Sequence, residues 1–220
     1  MISTLRSVIL VRHARSTAND DPSLYRIIPD HAIPLADPAA DPAALAAAAA
    51  IARLGLEPGD LCSWCSTYLR CRQTEKLILG AAYGAAAEKV RRRSSFLLRE
   101  QEFGDWDSLD EEEIAARDPV RFAKRKLLED NLGRFYFRYP GGESRADVTQ
   151  RIALFIGKMH RSRYPHHIIF LHGVTQRAFR MTWLDRSPDW FEEEPNPANA
   201  SVVVIERDQR GWWADRALGA

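Results

Sequence analysis

The chain has 220 residues, 45% hydrophobic and 28% charged, the proportions of a globular domain, which excludes a disordered or collagen-like chain. Lys and Arg (31) balance Asp and Glu (30) to a net charge of +1, so the bulk charge gives no support to nucleic-acid or membrane-surface binding. There is no apolar run of the roughly 18 residues that a membrane span needs, the first residues lack a signal peptide's apolar stretch, and three cysteines make no disulfide framework, so a cytoplasmic protein is expected.

Ser7–Val11 (SVILV) reads as a buried strand between Arg6 and Arg12. Residues 16–42, rich in Pro and Asp, read as a loop. Asp41 then caps, and Pro42 opens, an Ala-rich helix that runs to Leu54 and stops at Gly55. Asp60–Ser66 is a second strand, followed by a helix over Thr67–Leu79 with Thr67 as N-cap and Gly80 as its end. Cys62 and Cys65 form a lone CxxC without the second pair that a zinc site needs, and read as small buried thiols. Arg93–Leu98 is a third strand. Ser108 and Glu111 fit a capping box before a helix of about ten residues, and another helix follows Asp118-Pro119. Past the aromatic run 134–139, Pro140-Gly141-Gly142 breaks the chain. Val148, Ile152, Phe155, Ile156 and Met159 then recur at helical spacing within Glu143–Arg163. Ile168–Leu171 is a fourth strand and Val174–Leu184 a helix. Ser201–Glu206 and Trp212–Arg216 flank Asp208–Gly211 as a hairpin. Alternating strands and helices predict an α/β fold. It is a three-layer α/β/α sandwich with a mostly parallel central sheet and an antiparallel C-terminal edge, in one domain over residues 1–220.

Two strands end alike. One delivers Arg12 and His13, the other His172 and Gly173. Ligands of open α/β sheets bind outside the carboxyl ends of the strands, so two such strands can bring two imidazoles to one crevice. The helix start at Ser66–Arg70 offers free backbone N–H groups and a cation, which suits a phosphate, although that segment alone reads better as an ordinary cap at Thr67 with a solvated Arg70. Glu100, after the third strand, places a carboxylate near the same edge.

Taken in order, these pieces resemble the histidine phosphatase superfamily. Arg12-His13-Ala14 stands where the family has Arg-His-Gly. Ser66, Arg70 and Thr74 match Ser-x-x-x-Arg-x-x-x-Thr. Leu98, Glu100, Phe103 and Gly104 match its acid-bearing segment, and Gly142-Glu143-Ser144 and His172-Gly173 complete the set. More narrowly, Pro29-Asp30-His31 and Arg99-Glu100-Gln101 are similar to the branch holding the phosphoglycerate-mutase-like acid phosphatases. The resemblance implies a phosphoric monoester hydrolase that needs neither metal nor cofactor and acts on a small phosphorylated substrate. It implies His13 as the nucleophile that becomes phosphohistidine, with Glu100 as general acid. A protonated His172, Arg12, Arg70 and Asn19 are expected to hold the phosphate. Residues 105–140 are expected to form an inserted helical cap, in which Arg134 and Arg138 either grip an anionic substrate group or pack the cap. Two departures stand out. Ala14 puts a methyl group close to the phosphate, and Arg15 either enlarges the cationic pocket or points to solvent. Two other functions share the motif set. One is a phosphoglycerate-type mutase, although the mutases carry Arg-His-Tyr-Gly-Gly where this chain has Gln101-Glu102-Phe103-Gly104-Asp105. The other is a silent binder of a phosphorylated ligand, motivated by Ala14 and Arg15. The sequence carries no signal for the oligomeric state.

Overall fold

In the computed structural model, which describes residues 5–219, the apolar runs pair into one six-stranded sheet. Its strands are β1 (Ser7–Arg12), β2 (Leu61–Ser66), β3 (Arg91–Ser95), β4 (His166–Leu171), β5 (Val202–Arg207) and β6 (Trp213–Leu218). They lie in the order β3-β2-β4-β1-β5-β6. The first four run parallel; β5 is antiparallel to β1, and β6 to β5. The helices are α1 (Thr17–Asp20), α2 (Pro42–Ala52), α3 (Leu69–Tyr83), α4 (Glu111–Arg117), α5 (Pro119–Leu132), α6 (Arg145–Met159), α7 (Gly173–Trp183) and α8 (Pro188–Glu193).

A strand covered on both faces must be apolar at every position, and Val8–Val11 and Ile168–Leu171 are fully buried. Alternate residues of β1 feed opposite layers. Ile9 and Val11 pack with Ala44, Ala48, Ile51, Ile78 and Leu79 of α2 and α3. Val8 and Leu10 pack with Val148, Ile152, Phe155 and Phe179 of α6 and α7. Helices α4 and α5 stand apart from these layers over a small cluster of Trp106, Ile114 and Phe137. Cys62, Cys65 and Cys71 are buried and free. Among the described residues no helix is long and apolar enough to cross a membrane.

Several boundaries differ from the sequence expectation. Helix α3 is capped at Tyr68, not Thr67, and runs through Gly80 to Gly84, where φ is +54°. A helical glycine costs only about 1 kcal/mol, so it does not stop a packed helix; a left-handed residue does. Strand β3 begins at Arg91, and Phe96–Leu98 forms a 3-10 turn instead of continuing it. Its three arginines are exposed because β3 is an edge, where charge blocks further pairing. The capping box is Asp110 with Glu113, because Ser108 takes φ +64° and is unfit to cap. The 16–42 loop contains α1 and two 3-10 turns, and α8, capped by Ser187, has no counterpart in the sequence reading.

Candidate active site

Strands β1 and β4 are neighbours with Arg12 opposite Leu171, so the next residues, His13 and His172, meet at the carboxyl edge. The His13 N–H donates to the Leu171 carbonyl at 2.9 Å, and the two rings sit edge to face with centroids 5.3 Å apart. A cavity of about 380 Å³ opens there, lined by Arg12, His13, Asn19, Arg70, Glu100 and Arg134 among others.

His13 Nδ1 donates to its neighbour's carbonyl, Ala14 O, at 2.8 Å. That bond fixes the tautomer and leaves Nε2 with its lone pair. Burial, reinforced by Arg70, pushes the imidazole down to about 3, so it is neutral over the physiological range. Arg70 is buried and donates Nη1 to the Asp30 carbonyl at 2.6 Å and to Asp30 Oδ1 at 2.7 Å. The Nε groups of Arg12 and Arg70 are buried with no acceptor among the described residues. Arg12 also donates to the Pro197 carbonyl. Asn19, which also lines the cavity, is fixed through its Oδ1, which accepts from Ser16 N and Oγ and from Asn199 Nδ2. Two guanidinium groups and an amide converging on one imidazole suit a tetrahedral oxyanion.

Glu100 is held by backbone. Its carboxylate accepts from Gln101 N (3.0 Å) and from Val174 N (3.2 Å) and Thr175 N (3.3 Å) in the first turn of α7. The loop that carries it is tied to α6: Arg151 donates to the Leu97 and Glu100 carbonyls, while Glu143 accepts from Arg151 and Arg99. The Gly-Glu-Ser segment therefore serves as an anchor for Glu100. At the head of α7 a Cβ on Gly173 would meet the side-chain amide of Asn196, another cavity residue, which would have to move aside.

His172 and Ala14 lie elsewhere than the sequence suggests, and Arg15 and Arg138 take the reading that keeps them out of the site. His172 has no exposed surface and sits beneath His13, packed edge-on by Tyr68, with Nε2 bonded to Ser66 Oγ at 2.9 Å. Burial, with Arg70 and His13 adding to it, drives it well below the ordinary histidine value, so this imidazole is neutral rather than protonated. Ala14 donates its N–H to Thr74 Oγ1 at 2.9 Å and buries its methyl group in the core beside Ile9 and Val11, away from the phosphate position. Arg15 is half exposed and paired with Asp20 at 2.7 Å. Arg138 is exposed and pairs with Asp147; neither Arg15 nor Arg138 lines the cavity. Arg134 does line it, with its Nε 2.7 Å from Glu129. Sequence reasoning missed Tyr25, Asp107, Arg145 and Arg177. Arg177 was within reach of it, because it follows Gly173 by one helical turn on the same face. Among the described residues no three His, Cys, Asp or Glu side chains cluster as a metal site.

The model for the Histidine phosphatase superfamily (branch 1) matches residues 8–217. The chain is similar to Phosphoglycerate mutase-like protein AT74 of Arabidopsis thaliana, 31% identical over 221 residues, which takes in 94% of this chain and 66% of the plant protein. It is also similar to Broad-range acid phosphatase DET1 of Saccharomyces cerevisiae, 34% identical over 120 residues, covering 51% of this chain and 33% of the yeast protein. The chain thus spans just under two thirds of the one relative and a third of the other. Among solved structures, the Alpha-ribazole Phosphatase from Shigella flexneri superposes with a TM-score of 0.70 at 18% identity, over 97% of this chain and 96% of that one; the likeness is one of fold.

Proposed function

Because the chain belongs to the histidine phosphatase superfamily, branch 1, we propose that it hydrolyses small phosphomonoesters through a phosphohistidine on His13. The observation that carries this reading is the His13 tautomer: Nδ1–H is spent on Ala14 O, and a neutral Nε2 faces a cavity shared with Arg12 and Arg70. Nε2 attacks phosphorus in line, the ester P–O bond breaks, and Glu100 gives its proton to the departing alkoxide. Positive charge grows on the imidazole, and the Ala14 carbonyl opposite Nδ1–H stabilises it. In the second step the Glu100 carboxylate takes a proton from water, the oxygen attacks phosphorus, and the P–N bond breaks. Inorganic phosphate leaves and Glu100 is protonated again. Arg12 and Arg70 hold the equatorial oxygens throughout, and His172 braces His13 from below. The name of the yeast relative, a broad-range acid phosphatase, supports the same chemistry. Ala14 belongs to the core and Arg15 pairs with Asp20, so neither residue that motivated a silent binder lines the cavity.

The test is rapid quench with a labelled phosphomonoester in excess EDTA. An acid-labile, base-stable phosphoenzyme should form and vanish in His13→Ala. Label that persists in that variant, or activity lost to EDTA and restored by zinc or magnesium, would replace the histidine nucleophile with another mechanism.

A further inference from the structure

The end of the sheet remote from the catalytic cavity carries its own group of cations. Arg91 and Arg93 on β3 stand in register with Cys62 and Trp64 of β2, and residues paired across strands share a face. Cys62 and Trp64 pack in the layer of α6, so both arginines lie on that side of the sheet. The segment between α6 and β4 brings Arg161 and Arg163 to the same place. A cleft of about 350 Å³ is lined there by Arg91, Arg93, Arg161, Ser162, Arg163 and Tyr164, with no carboxylate among them. Trp64 joins the two elements: the Arg93 guanidinium lies 5.3 Å from its ring centroid, and the ammonium of Lys158, near the end of α6, 5.4 Å. The adjoining cleft adds Lys89 and Arg92 against a single carboxylate, Glu88.

Elsewhere arginines meet carboxylates: Arg125 and Arg134 on the cap side pair with Glu129, and Arg180 and Arg186 near the C-terminal edge with Asp215. Among the described residues none of Arg91, Arg93 and Arg161 has a carboxylate at ion-pair distance. Protection of the β3 edge accounts for charge on that strand, and the C-terminus of α6 favours a cation. Neither reason brings the two sets to one cleft, where like charges repel until an anion sits among them. Guanidinium forks match phosphate oxygens two at a time. A single phosphate group carries only about two negative charges. The four guanidinium groups are matched by a chain of two or three phosphates. We infer that this cleft binds an oligophosphate, either free or carried by a nucleotide. It lies at the amino ends of β2, β3 and β4, whereas His13 and His172 follow carboxyl ends, so a strand length of roughly 17–20 Å separates the two sites. The site does not depend on the phosphatase reading.

Titration calorimetry with tripolyphosphate tests it on the full chain carrying Arg12→Gln and His13→Ala, which strip the catalytic cavity of two of its phosphate contacts. Tripolyphosphate should still bind, and at least about 10-fold more tightly than orthophosphate or citrate. Adding Arg91→Gln and Arg161→Gln should weaken it by about 10–100-fold, the worth of one or two charge-assisted bonds. Arg161→Glu alone should weaken it by at least as much as Arg161→Gln. In the otherwise native chain, Arg91→Gln with Arg161→Gln should leave kcat/KM for an aryl phosphate within about two-fold, because neither residue touches the catalytic cavity. ATP that binds as tightly as tripolyphosphate assigns the nucleotide form, and ATP that fails to bind assigns the free chain; both uphold the site. Tripolyphosphate binding that disappears with Arg12→Gln and His13→Ala, or that is unmoved by the changes at Arg91 and Arg161, overturns it. So does orthophosphate or citrate bound as tightly as tripolyphosphate.

Discussion

Glu100 is distinguished from its neighbour Glu102 by what each touches. The Glu100 carboxylate is locked by three backbone N–H groups inside the cavity, while Glu102 pairs with Arg99 at 2.8 Å on the surface. A positioned acid matters in proportion to the leaving group's need for a proton. Glu100→Gln should therefore lose about 10²–10⁴-fold in kcat/KM on an alkyl phosphate and much less in single-turnover phosphorylation by an aryl phosphate. Dephosphorylation of the aryl substrate should then limit turnover and give a burst. Glu102→Gln should stay within a few-fold on both. Equal losses on alkyl and aryl esters in Glu100→Gln would assign the proton elsewhere. The Arg-His and acid motifs made this residue legible from sequence. Its three backbone bonds were not, because two come from α7, more than 70 residues downstream.

At the scale of elements, the head of α7 does three jobs in one turn. Its N–H groups hold Glu100, its cap residue is His172, and its first residue, Gly173, lets Asn196 approach. Gly173→Ala must push Asn196 or the helix head aside, a strain of about 1–3 kcal/mol, and should cost activity together with thermal stability. Gly157→Ala, within α6 where a methyl group meets open space, should instead stabilise by about 0.5–1 kcal/mol. Calorimetry on the two variants checks the opposite signs. A stable, fully active Gly173→Ala would show that Asn196 has room the structure does not give it.

Across the whole molecule, buried histidines set the response to acid. His167, on β4, accepts the Trp64 indole N–H at 2.9 Å, and burial holds it down to about 4. His13 lies at about 3, also through burial, and His172 is held well below the ordinary value by the same cause. The unfolded chain binds protons on these rings near the ordinary value of about 6.5, and the native state does not. Their contribution is thus complete above about 6.5 and is lost as pH falls from there toward 4 and 3. His167 alone accounts for on the order of 3 kcal/mol at most across that window. His167→Gln, which keeps an acceptor for Trp64, should flatten the decline in urea-unfolding free energy between pH 6.5 and 4. Parallel declines in variant and wild type would place the acid sensitivity in other groups.

Local chemistry decided what could be read from the chain alone. An apolar run such as Val8–Val11 has no stable place except a doubly covered strand, and Asp41-Pro42 before an alanine tract starts a helix wherever it occurs. The ordered motifs around His13, Arg70, Glu100 and His172 were legible for the same reason, since each lies at the end of a strand or within the five residues that follow one. Tertiary structure decided which of these face the ligand. It placed His172 beneath the cavity floor and turned Ala14 into the core. Arg15 and Arg138 went to surface carboxylates, while Arg145 and Arg177 were brought to the wall. Whether an arginine meets substrate, solvent or a counter-ion depends on neighbours tens of residues away, and those neighbours exist only once the sheet and its helices have packed.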